Sequence, residues 1–235
     1  MAELWKLPAV LFCFRTRPNL GRRKSAHVLK LTVVPCLSTT KMMGKIAAQI
    51  KVCVQCPLSK NRKNAVPGEG SIEAKVIFVG EAPGHWEDVK GLPFVGSAGK
   101  VLDGLLTGIG LARESVFITS VVKCRPPRNR EPRPAEVETC TSLHLNRQIS
   151  LVKPKVVVTL GRHSTAYVLS KAGFDRALNI TDLHGKVSRV KFLGLSLVVL
   201  PMFHPASVLH HPRYKEALEN DFCVLRKELK KQWIA

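Results

Sequence analysis

The sequence predicts an α/β fold, with three αβα layers around a central, mostly parallel, four-stranded sheet. Three observations predict it. Short apolar runs alternate with longer segments of helical period. The runs lack the in–out alternation of a sheet with one wet face, so helices cover both faces. Polar or glycine-rich residues follow each run, where open α/β sheets place their ligands.

Each element has its reason. Residues 44–53 read as a short helix leading to Cys53. Lys75–Gly80 (KVIFVG) is the first strand, a continuous apolar run. Residues 98–108 form a helix, and Val116–Val122 the second strand. Pro134 suits the first turn of a helix, where its missing N–H costs nothing, and that helix reaches about Val152. Lys155–Leu160 (KVVVTL) is the third strand and Ser164–Lys171 a helix. Leu195–Leu200 is the fourth strand. Tyr214–Lys231 is an amphipathic, basic helix.

The 235 residues suit one domain, or one domain plus a tail, and an apolar content of 45% can build a core. No apolar run approaches the roughly 20 residues of a spanning helix, so no membrane partner is expected. Lys and Arg number 37 against 17 Asp and Glu, a net charge of +20. That excess favours a polyanion such as nucleic acid. Seven cysteines are an odd and small number for a disulfide framework.

Residues 1–42 differ from the rest. Eight Lys or Arg stand there against one acid, Glu3. The segment reads as a disordered basic leader, or as sequence upstream of a true start at Met42 or Met43. Its composition also resembles an organelle transit peptide. The folded domain is expected over 43–235.

Five motifs carry chemistry. Cys53 and Cys56 form C-x2-C, and fifteen residues separate Cys124 from Cys140. Four thiolates suit either a structural zinc or a 4Fe–4S cluster. Gly80-Glu81-Ala82-Pro83-Gly84 is a tight loop at a strand end, and with Glu87 it gathers carboxylates in a basic chain. A structural turn needs glycine and proline, not carboxylates. Phe94, within Pro93–Gly96, is either core or a platform for a flat ring. His204 ends the fourth strand and is held by Pro205; a neutral imidazole there can donate to a developing anion. Ser207, Leu209, His210 and Arg213 follow it closely. Lys123–Arg133 (KCRPPRNREPR) is a basic, proline-stiffened loop suited to phosphates, with Lys123, Arg125, Arg128 and Arg130 as candidates. Arg162 joins them on the rim after the third strand.

In combination and order these motifs resemble the family 4 uracil-DNA glycosylases, the iron–sulfur type of archaea and bacteria. The stretches that carry the resemblance are Cys53–Leu58, Val79–Gly84, Gly91–Gly99, Ile118–Pro127, the Cys140 helix, Lys153–Gly161 and Phe203–Ala206, within residues 44–230. The resemblance implies a uracil-DNA glycosylase-like fold and a monofunctional enzyme of base excision repair. It implies one structural 4Fe–4S cluster on Cys53, Cys56, Cys124 and Cys140. It implies Glu81 as the catalytic carboxylate and His204 as the donor to uracil O2. Phe94 would stack on the base, and Glu87 would lie near its C5 edge and exclude thymine's methyl. Gly80, Ala82, Pro83 and Gly84 would complete the pocket. Uracil-containing DNA, single- or double-stranded, would be the partner. The enzyme would act as a cytoplasmic monomer ahead of abasic-site repair enzymes. Neither end shows a sliding-clamp motif. No lysine is placed as a Schiff-base nucleophile, so lyase activity is not expected. The chain departs from the family at Ser120, where Asn is usual. Ser120 opens two alternatives: a deaminated-base glycosylase of broader or altered specificity, or a catalytically weak DNA-binding iron–sulfur protein. Leu209 is the candidate wedge for the gap left by a flipped base.

Overall fold

The structure is a computed structural model that describes residues 38–174 and 179–233. The expected leader therefore lies outside the described residues, except 38–42. Those open helix α1 (Thr39–Val52), whose first turn is capped by the Ser38 hydroxyl accepting from the Lys41 amide at 3.4 Å.

Six strands form one sheet: β1 (Glu69–Gly70), β2 (Val76–Gly80), β3 (Phe117–Ser120), β4 (Val156–Leu160), β5 (Ser188–Phe192) and β6 (Leu195–Met202). Their order is β1-β3-β2-β4-β6-β5. The inner four are parallel and are the four strands read from the apolar runs. The expected strand count is corrected by two antiparallel edges, β1 on β3 and β5 on β6. β1 has only two residues, too few for any sequence pattern. β5 is Ser-Arg-Val-Lys-Phe, an alternating strand with a wet face, and so never reads as a buried run.

Two cores make the three layers. On one face, Met43, Ile46 and Ile50 of α1 pack with Ile77, Val79, Val157 and Val199 of the sheet. Ile149 of α5 (Asn146–Val152) and Val168 of α6 (Arg162–Lys171) join them. On the other face, Leu102 and Leu106 of α3 (Ser97–Gly108) meet Phe78, Val158 and Leu200. Leu218, Phe222 and Leu225 of α9 (Tyr214–Trp233) complete that layer. β2 and β4 are buried along their whole length, as continuous apolar strands must be.

The helix expected from Pro134 to Val152 is present but not uniform. α4 (Pro134–Cys140) passes into α5 through one π-helical turn, Thr141–Leu145. The Thr141 hydroxyl steadies this turn by donating to the Val137 carbonyl at 2.8 Å. Short helices α2 (His85–Lys90), α7 (Ile180–Leu183) and α8 (Ala206–His210) fill loops.

The topology positions the site. β3 lies on one side of β2, and β4 on the other. The chain leaves β2 towards β3, and leaves β4 towards β6. The carboxyl ends of β2 and β4 are therefore the switch point, where such sheets open a crevice.

Candidate active site

A pocket of about 390 Å³ opens at that switch point. Glu81, Ala82, Pro83, Gly84, Glu87, Phe94, Ser120 and His204 all line it. Val66, outside every motif, also lines its wall, as do Pro126, Asn129 and Ala206, which lie within the singled-out stretches but were given no role. A larger groove of about 540 Å³ lies between α3 and α9. That groove is mainly apolar and has no convergent donors and acceptors, so the smaller pocket is the chemical one.

Glu81 sits one residue past β2. Its backbone stays paired, because the Val122 amide donates to the Glu81 carbonyl at 3.1 Å. Its carboxylate is about one-third exposed and faces His163, whose Nε2 is 3.8 Å away. His163 also approaches Glu131, at 3.4 Å. The sequence places His163 after the third strand, on the rim, but gives it no role; Gly161, with φ 93, turns the chain there.

Phe94 is buried and has φ 49, the left-handed region that a bulky residue enters at a cost. Three features hold it. Glu87 Oε1 accepts the amides of Val95 at 2.9 Å and Gly96 at 3.0 Å. Arg113 donates to the Pro93 carbonyl at 2.6 Å and is itself anchored by Glu69 and Asp103, each at 2.6 Å. Gly80 leaves room for the ring, since a Cβ there would stand 2.8 Å from Phe94 Cζ. Asp88, the third acid of this segment, turns away and takes the Lys63 amide at 2.8 Å.

His204 follows β6 and stacks near Phe94, with centroids 5.6 Å apart and 27° between planes. That gap is too narrow to admit a flat ring between them. The Ala206 amide donates to His204 Nδ1 at 3.1 Å, which leaves the proton of a neutral ring on Nε2. Burial lowers the His204 pKa to about 4, against a small opposing pull from Glu87. The ring is therefore a neutral N–H donor at neutral pH.

The proposed DNA-facing residues divide. Lys123 corrects the expectation of a phosphate contact. It is 1% exposed, and its Nζ donates to Thr119 Oγ1 at 2.6 Å and to the Ser120 carbonyl at 2.7 Å. Burial lowers its pKa to about 8, opposed by Cys140 and Cys124. Ser207 donates its hydroxyl to the His204 carbonyl at 2.7 Å, so its first task is building the loop. Arg130 binds buried Glu136 at 2.6 Å, and Arg162 pairs with Glu131. Arg125 donates to Asn129 Oδ1 at 2.7 Å. Arg128, Leu209, His210 and Arg213 are exposed on the same rim, with Arg213 over the Tyr214 ring at 5.1 Å.

Cys53, Cys56, Cys124 and Cys140 line one small cavity together with Arg62, Lys123, Thr139 and His144. Among the described residues all five cysteines are free of disulfides, and Cys223 lies elsewhere, on α9. Arg62 Nη1 donates to Cys124 Sγ at 3.0 Å, and the Lys123 amide to Cys140 Sγ at 3.3 Å. Burial pushes the Cys140 thiol up to about 12 and raises Cys56 and Cys124 as well. A thiolate in such a place requires a cationic partner to replace its proton. Among the described residues no three His, Cys, Asp or Glu side chains are grouped to hold one metal ion.

Comparison with known proteins agrees with this geometry. The family model described as "Uracil DNA glycosylase superfamily" matches residues 67–229. A type-4 uracil-DNA glycosylase of Sulfurisphaera tokodaii is 48% identical over 186 residues, 79% of this chain and 84% of that protein. The type-4 enzyme of Archaeoglobus fulgidus is 46% identical, over 77% of this chain and 89% of its own. That of Thermotoga maritima is 40% identical, over 73% and 85%. With matches of this extent across the fold and the pocket, the chain belongs to the uracil DNA glycosylase superfamily and, within it, to the type-4 uracil-DNA glycosylases.

Proposed function

We propose that this chain is a monofunctional uracil-DNA glycosylase, which takes a flipped uracil into the switch-point pocket and hydrolyses its N-glycosidic bond. One observation carries the reading: a carboxylate, Glu81, and a neutral Nε2–H donor, His204, converge on one pocket beside a fixed aromatic platform, Phe94. Cleavage leaves positive charge on the sugar and negative charge on uracil. Glu81 stabilises the sugar and orients the water that adds to C1′. His204 donates to O2 of the departing uracil anion, which costs less from a preorganised donor than from bulk water. Ala82, Pro83, Gly84 and Ser120 complete the base pocket. Glu87 fixes the Phe94 turn and crowds the C5 edge. The nearest buried lysine, Lys123, is committed to Thr119 and Ser120, in keeping with hydrolysis rather than a Schiff base.

The partner in this reading is uracil-containing DNA, and the product is an abasic site for a strand-repairing enzyme. Arg125, Arg128, Arg130, Arg162, His210 and Arg213 meet phosphates, and Leu209, 49% exposed on α8, fills the vacated stack. The four cysteines hold a 4Fe–4S cluster. What supports this is the gathering of the four cysteines on one cavity, with Arg62 and the Lys123 amide donating to two of the sulfurs, together with the likeness to the type-4 enzymes. When bound, the group ties the segment after α1 to the Pro-rich loop and to α4. Among the described residues no helix is long and apolar enough to cross a membrane.

Ser120 favours a second, narrower reading of altered base range. A serine hydroxyl offers one donor where Asn offers an amide face. The test is base release from duplexes carrying uracil opposite guanine or adenine, hypoxanthine, or thymine opposite guanine. Release of uracil that disappears in Glu81→Gln and falls steeply in His204→Asn supports the mechanism. No release from any duplex, by protein with its cysteine site loaded, overturns it.

A further inference from the structure

His144 belongs to the π-helical turn that follows Cys140, and it is 5% exposed. Neither ring nitrogen has a partner in good hydrogen-bond geometry and both are shut away from solvent; the Leu143 carbonyl, next in the chain, is the one backbone group that acts on the ring, and it can occupy at most one of the two nitrogens. Buried polar groups are nearly always paired, and an unmade bond costs about 1–3 kcal/mol. The turn itself is suggestive. A π turn widens a helix by one residue and is frequent at functional sites. Here it brings His144 to the cavity that the four cysteines ring. Arg62 and the Lys123 amide already donate to Cys124 and Cys140 from the same wall. Beyond the sulfurs, the side-chain acceptor on that wall is the Thr139 hydroxyl.

We propose that His144 donates a ring N–H hydrogen bond to a sulfur of the bound cluster. This rests on the cluster reading above. An imidazole carries at least one N–H in either protonation state, and an iron–sulfur group is anionic and rich in sulfur acceptors. Hydrogen bonds to cluster sulfurs draw off charge and are one of the levers that set reduction potential. Removing this one makes reduction harder and the cluster easier to oxidise.

The test uses the full chain labelled with nitrogen-15 at its histidines. Colour, iron and sulfide content first establish the cluster. The cluster is then reduced by irradiation at cryogenic temperature, and electron spin-echo spectra are recorded. The expected result is a weak nitrogen-15 coupling, which vanishes when His144→Gln is labelled in the same way. In His144→Leu the one-electron midpoint falls by at least a tenfold equilibrium shift, 59 mV, while His144→Gln, which keeps an N–H, falls less. A loaded wild-type chain without any nitrogen-15 coupling overturns the inference and leaves the cluster reading standing. A strong coupling, as from nitrogen bound to iron, overturns it in favour of His144 as a ligand. A wild-type chain without iron and sulfide overturns both.

Discussion

Glu87→Ala separates two roles for one carboxylate. The structure makes Glu87 the pin of the Phe94 turn, because its Oε1 takes both the Val95 and Gly96 amides. Hydrogen bonds to a charged group contribute about 1.5–3 kcal/mol each, and the left-handed Phe94 adds strain of about 1–2 kcal/mol that the pin must hold. The site is half-buried, so water reclaims part of the loss, and about 2–3 kcal/mol remains. If the turn slackens in the reacting complex, that is about a 30- to 150-fold fall in single-turnover uracil release. Glu87→Gln keeps an acceptor oxygen in place and loses only charge, so it retains most of the rate. The assay is uracil release with thymine release measured in parallel. A pin predicts a large loss in Ala, a small one in Gln, and no gain on thymine in Gln. Equal losses in both variants, or thymine release that rises equally in both, would show that the carboxylate acts on the base edge and not on the turn.

Four further outcomes are expected. His204 is lowered to about 4, so between the ordinary 6.5 and 4 the unfolded chain binds a proton that the native ring refuses. Stability therefore falls as pH drops through that window, by about 2 kcal/mol at pH 5. His204→Asn removes this loss, as urea midpoints at pH 5 and 7 will show; equal pH dependence in both proteins refutes the neutral, buried ring. Arg128→Ala lowers the salt slope of duplex binding by about 0.9, one phosphate, whereas Lys123→Met leaves it unchanged. Ser120→Asn changes the uracil rate or its ratio to hypoxanthine by the equivalent of about 1–3 kcal/mol; identical rates and ratios sink the specificity reading. Leu209→Ala slows duplex cleavage more than single-strand cleavage, and an unchanged ratio removes its wedge role.

What the sequence made legible follows physical lines. The four inner strands were readable because burial on both faces demands unbroken apolar runs, as in Val76–Gly80 and Val156–Leu160. The edges were not, because Glu69–Gly70 is too short and Ser188–Phe192 is half wet. The pocket was readable at Glu81 and His204, where polar residues stand just past strand ends, and at Phe94, an aromatic set in a proline- and glycine-rich loop. Arg113 was not, since a single buttress on a distant turn leaves no local pattern. His144 was hidden for another reason: an apolar period continues through Pro134–Val152, and nothing in it announces a π turn. Lys123 was misread because it opens a basic stretch. The overlooked signal was its attachment to Phe117–Val122, a run buried throughout.

That misreading bears on what a metal group held by the four cysteines would do for a hydrolytic enzyme of this kind. Ser120 lines the base pocket, and Cys124 lines the cysteine cavity, only four residues further on. An extended chain of that length reaches about 14 Å at most. The segment is buried at every step, and Lys123 clamps it from within by holding Thr119 and Ser120. A group that fixes Cys124 and Cys140 therefore also fixes how far Ser120 can move. The same group fixes the root of Arg125–Arg130, the loop offered to phosphates. On the reading proposed above, a group bound there would need no part in bond cleavage to be required for it: it would set the position of the wall proposed to read the base relative to the loop proposed to meet the backbone. The carboxylates and cations of this chain divide in the same way. Glu81 lies in the pocket, where the proposed reaction makes a sugar positive, exposed Arg128 and Arg213 lie on the rim, and buried Lys123 lies between the thiolates and the pocket.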